Sequence, residues 1–79
     1  MHVERLVAMA NDIANFFAAE SGDAAPEEIA RHIKRFWEPR MRARIAEHAQ
    51  AGGHGLSAAA LAAAKLLAPA PTPAKASEG

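Results

Sequence analysis

Cysteine and tyrosine are absent from this chain, tryptophan occurs once and phenylalanine three times. The lack of cysteine removes disulfides, thiolate metal ligands and a cysteine nucleophile together, and it fits a reducing compartment. Long apolar runs are missing too: none approaches the roughly 20 residues of a membrane-spanning helix. The opening Met-His-Val-Glu-Arg-Leu-Val carries an early acid and no small-residue cleavage site, so no secretory signal is expected and the chain is read as soluble and cytoplasmic.

Catalytic sets are equally scarce. The serines Ser21, Ser57 and Ser77 sit in turn, cap and tail contexts, with no base and orienter grouped around any of them. His2, His32, His48 and His54 include no i,i+4 pair and no clustered carboxylates to complete a ligand set. His32 is read instead as a hydrogen-bond donor beside the tryptophan, and His48 as a residue near a helix C-terminus, where a cation is favoured. Gly52-Gly53-His54-Gly55 follows a helix rather than a strand, so it is no phosphate loop. The chain is therefore expected to hold no catalytic residue, no cofactor and no metal of its own.

With 79 residues the chain has room for one thin core. A core of this size rarely supplies more than about 3–5 kcal/mol, and with disulfides and metals excluded, association with a partner is the remaining source of stability. Net charge is zero but polarised: residues 1–30 hold six acids and one arginine, residues 31–44 six bases and one glutamate, and residues 45–79 two of each.

What is present is helical periodicity. Val3, Leu6, Val7, Ala10, Ile13, Ala14 and Phe17 recur at helical spacing, with Glu4, Asn11, Asp12 and Asn15 opposite, predicting an amphipathic helix over residues 3–19. Met9 and Phe16, one heptad apart, fall beside this stripe, either as a wider core face or as a second strip for contact with another protein. Gly22 supplies a left-handed C-cap. Pro26 followed by Glu27 and Glu28 then starts a helix over 26–37, with Ile29, Ala30, Ile33, Phe36 and Trp37 on its apolar face and Glu27 placed to pair with Arg31.

Pro39 stops this helix and opens the next, over 39–50, with Met41, Ile45 and Ala49 inward. Three glycines in four residues end that helix. Ser57 caps a fourth helix over 58–68, Leu56 and Leu61 having the spacing of a hydrophobic staple. This last helix is nearly all alanine, with Leu61, Leu66 and Leu67 pointing in different directions. An all-round apolar helix needs burial on all sides, which three short companions are not expected to give, so one side is expected to dock on another protein. The fold class is thus all-α: a small bundle of about four short helices forming one domain over 1–68, with a helix-Pro-helix corner at Pro39. The Pro/Ala-rich tail 69–79 is expected to be disordered in isolation.

The whole chain turns on residues 31–44, which combine six bases with Phe36 and Trp37. One reading is a nucleic-acid-binding module with Arg31, Lys34, Arg35, Arg40, Arg42 and Arg44 on phosphates, against which stand the zero net charge and the acidic first helix. A second is a protein interface anchored by Phe36, Trp37 and Met41 amid arginines, the composition that binding hot spots favour. In a third, Trp37 is core and the arginines are solvated.

At these residues the chain resembles a known family. Leu6-Val7-Ala8-Met9-Ala10-Asn11-Asp12-Ile13-Ala14 with Phe16-Phe17, then His32 with Arg35-Phe36-Trp37-Glu38-Pro39-Arg40-Met41-Arg42, then Gly52-Gly53 with Gly55-Leu56, are similar to the delta subunit of soluble, NAD-dependent, molybdenum-containing formate dehydrogenases. The likeness runs from about residue 3 to residue 67 and departs most in the alanine-rich stretch 57–64 and in the tail. It implies an accessory subunit of a complex that oxidises formate to carbon dioxide and passes electrons to NAD. The molybdopterin cofactor, iron–sulfur clusters, FMN and NAD are then expected in the partner subunits, and the catalytic (alpha) subunit is the expected partner, with neither nucleic acid nor membrane. The residues expected to contact it are Met9, Phe16, His32, Arg35, Phe36, Trp37, Pro39, Arg40, Met41 and Arg42.

Overall fold

The computed structural model describes residues 2–67, so the tail at 69–79 lies outside the described residues. It contains four α-helices: α1 (Val3–Ser21), α2 (Ala25–Phe36), α3 (Pro39–Gln50) and α4 (Ala58–Leu67), with a single 3-10 turn, Gly22–Ala24, between the first two. The class is all-α, and no strand occurs among the described residues.

On α1 the fully buried positions are Leu6, Ala10 and Ala14, spaced i,i+4, while Val7, Met9, Ile13 and Phe17 pack against the core from its margins. The helix runs to Ser21, and Gly22 takes a positive φ of 55° but, at ψ −121°, not the left-handed helical conformation expected of it. α2 begins at Ala25, with Pro26 in its first turn, Glu27 and Glu28 at its positive end and Lys34 and Arg35 in its last turn, all of which suit the helix dipole. Arg31 pairs with Glu28 at 3.4 Å rather than with Glu27.

The buried side of α2 is Ala25, Ile29, Ala30, Ile33 and, just past its end, Trp37 at 7% exposure. Phe36 departs from its expected place on this side: it is 66% exposed. The reason is angular. At 100° per residue Phe36 lies roughly 75° from the mean direction of Ile29, Ala30, Ile33 and Trp37, on the flank it shares with His32.

The chain leaves α2 extended at Trp37 and Glu38, as the residue before a proline prefers, and Pro39 is the first residue of α3. Ile45, Ala46 and Ala49 are buried on α3, and Met41 is half-buried. The helix closes in a Schellman turn, in which the Gly53 amide donates to the His48 carbonyl at 2.9 Å and the Gly52 amide to the Ala49 carbonyl at 3.1 Å. Gly53 is required there on two counts: its φ is +66°, and a Cβ would run into Leu61.

Ser57 Oγ accepts from the Ala60 amide at 3.3 Å, capping α4, with Leu56 and Leu61 half-buried on either side of the cap. The expectation that three short helices cannot bury α4 does not hold. α4 packs on α1, α2 and α3 alike, with Ala60, Ala63 and Ala64 fully buried. Alanine is what makes this possible, because a methyl side chain lets three neighbours close around one helix without voids. What stays outside is Ala58, Lys65 and Leu66, the last 49% exposed. No helix among the described residues is long and apolar enough to cross a membrane.

Candidate protein-docking surface

Two pieces of surface meet at the α2–α3 corner. The first is a row of aromatic rings running across α1 and α2. Phe16 meets Phe17 edge to face at 5.1 Å between centroids, Phe17 meets His32 at 5.9 Å, and His32 meets Phe36 at 4.7 Å. The two ends of the row, Phe16 at 62% and Phe36 at 66%, are exposed, and the guanidinium of Arg35 stands over the Phe36 ring at 5.8 Å from its centroid. The His32 ring is thus placed between two phenylalanines, a role different from the expected hydrogen-bond donor beside the tryptophan. Phe17 is the link that the sequence reading assigned to the core stripe alone.

The second piece is a shallow groove of about 350 Å³ at the start of α3, lined by Leu6, Glu38, Arg40, Met41 and Arg44. Leu6 and Phe16 are ten residues apart on α1, about 15 Å along its axis, so groove and aromatic row are distinct surfaces. Of the ten residues singled out in the sequence, the row gathers Phe16, His32, Arg35 and Phe36, while the groove side gathers Arg40 and Met41 beside exposed Pro39. Met9 is half-buried against the core. Trp37 is buried, which settles its place in the core.

The bases are not equally free. Arg31 pairs with Glu28, Arg44 with Glu47 at 3.0 Å, and Arg42 Nη1 donates to the Lys34 carbonyl at 2.8 Å. Lys34, Arg35 and Arg40 are exposed and form no ion pair among the described residues. The six-base strip of the nucleic-acid reading is thereby reduced by half.

A tether that the sequence reading missed lies on α1. Asn11 donates through Nδ2 to the Gly55 carbonyl at 2.9 Å and accepts from the Ser57 amide through Oδ1 at 2.9 Å, pinning the α3–α4 loop to the first helix. The periodicity placed Asn11 on the solvent side, and only its amide chemistry, with one donor group and one acceptor, hinted at a backbone clamp. His48 Nε2 and the His54 carbonyl, 2.8 Å apart, join the same loop to the end of α3.

No group of three or more His, Cys, Asp or Glu side chains among the described residues could hold a metal ion. Iron–sulfur clusters are held chiefly by cysteine thiolates, of which the sequence has none, so this donor set does not fit such a cluster.

No curated protein and no solved structure matches the chain. The family model described as NADH-dependant formate dehydrogenase delta subunit FdsD matches residues 5–64, a span that covers α1 to α3 whole, the corner, the Asn11 tether and most of α4. With well over half of its 79 residues inside that match, the chain belongs to the delta-subunit family of NAD-dependent formate dehydrogenases, as an accessory subunit of that oxidoreductase.

Proposed function

We propose that this subunit is non-catalytic and docks on the molybdenum-bearing catalytic (alpha) subunit through the outer side of the α2–α3 corner, supporting assembly or stability of the complex in the cytoplasm. Molybdopterin, iron–sulfur clusters, FMN and NAD belong, in this reading, to the other subunits. The observation that carries it is the exposure of Phe36: a phenylalanine 66% open to water, beside unpaired Arg35 and Arg40, is a large apolar anchor with cations at its rim.

Phe36 enters an apolar pocket of the partner, and Arg35 and Arg40 meet its carboxylates. Arg42 keeps further donors on its fork after bonding to Lys34 and can add to them. Met41, half-buried at the start of α3, supplies adaptable apolar contact. Trp37 acts from within, fixing the corner so that little ordering remains to be done on binding.

Co-purification of the tagged chain with the complex tests this. Phe36→Ala and Arg40→Glu leave the helical circular dichroism unchanged and lower recovery of the catalytic subunit, Phe36→Ala by the equivalent of about 2 kcal/mol. Full recovery with both variants contradicts the reading. The nucleic-acid alternative predicts a gel shift that weakens steeply with salt; no shift at low salt is expected.

A further inference from the structure

Phe16 sits well away from the corner yet is almost as exposed as Phe36, and the row of rings joining the two needs an explanation of its own. Between α1 and α2 this row borders a groove of about 310 Å³ lined by Asp12, Ile13, Phe16, Phe17 and His32. Its walls are apolar apart from the His32 ring and one carboxylate at the edge. The rings hold one another in edge-on and tilted contacts, so the groove is largely formed before anything enters it.

Resting on the reading that this chain docks on the catalytic subunit, we propose that this groove is a second contact surface, receiving one large apolar side chain of that subunit set between a carboxylate and a cation. Charge selects this occupant. Asp12 marks the groove, Arg35 marks the Phe36 end of the row, and neither forms an ion pair among the described residues. A partner face carrying a cation toward Asp12 and a carboxylate toward Arg35 satisfies both, whereas a purely apolar or single-sign surface leaves one charge desolvated without a counterpart. One apolar side chain matches the room available, and together the groove and corner give the docked subunit two separated points of attachment, which fixes its orientation.

The test uses the full chain in its complex. Phe16→Ser and Asp12→Lys alter only exposed groups, so both retain the wild-type circular dichroism. Each should lower co-purification of the catalytic subunit roughly tenfold, and hydroxyl-radical labelling of Phe16 should be suppressed in the complex relative to the free chain. Normal recovery and full labelling of Phe16, with recovery still lost in Phe36→Ala, overturn the groove while leaving corner docking in place. Loss in Phe16→Ser with none in Phe36→Ala supports the groove and overturns the corner. A concentration-dependent dimer of the free chain that Phe16→Ser abolishes, with Phe16 fully labelled in the complex, assigns the groove to a second copy of this chain and overturns the proposal.

Discussion

Arg42 Nη1 donates to the main-chain carbonyl of Lys34 at 2.8 Å, so a side chain from the first turn of α3 satisfies one of the orphan carbonyls at the end of α2. The bond carries a full positive charge to the negative end of a helix dipole and spans the corner at Pro39. Hydrogen bonds to charged groups contribute about 1.5–3 kcal/mol when well shielded, and Arg42 is only half-buried, so the lower end of that range applies. Arg42→Ala should cost about 1 kcal/mol in denaturant unfolding. It should also speed amide exchange at Trp37, whose amide donates to Ile33 at the same helix end. Arg42→Lys should recover part of the loss.

Trp37 and Phe36 are neighbours with opposite fates, and their alanine variants should separate cleanly. Burying an indole at 7% exposure makes Trp37→Ala a cavity mutation costing about 3–5 kcal/mol. A core of this size supplies about as much in total, so the isolated variant should show largely unfolded circular dichroism at 25 °C. Phe36→Ala removes a ring already in water and should change stability by no more than about 0.5 kcal/mol.

The Asn11 clamp should report on the α3–α4 loop. Asn11→Ala strands the Ser57 amide and the Gly55 carbonyl and should cost about 1–2 kcal/mol, with faster hydrogen exchange at Ser57. Asn11→Asp keeps an acceptor for Ser57 and loses the donor to Gly55, so exchange at Ser57 should stay closer to wild type while stability still falls.

Gly53→Ala should be the most damaging single methyl in the loop. The positive φ alone costs an alanine about 1–2 kcal/mol, and the new Cβ displaces Leu61 from its place under the turn. The melting temperature should fall by several degrees. Gly52→Ala, which meets nothing within 4 Å, should fall less.

Much of this architecture is written locally. Pro26 with its two glutamates, Pro39, Ser57 and the glycine run punctuate the chain at the places where the helices begin and end, because capping and φ restriction act over one or two residues. The stripes of α1 and α2 likewise follow from the 3.6-residue period. What periodicity cannot give is the packing partner. Phe36 is apolar and close to the buried stripe, and only the position of α1 decides that it ends a surface row rather than enters the core. The burial of α4 was hidden for the same reason: its alanines carry no directional signal, and three neighbours, not one, cover it. Asn11 reads as solvent-facing until the loop 44 residues away is folded against it.

The central claim is that the corner at Pro39 lies against the catalytic subunit. A photo-crosslinking residue placed at position 36 of the full chain, activated in the assembled formate dehydrogenase, tests it most directly. The account predicts a covalent product with the molybdenum-bearing subunit, competed away by excess wild-type chain. Crosslinks to other subunits alone, or position 36 left free in a complex that still contains this chain, would contradict it.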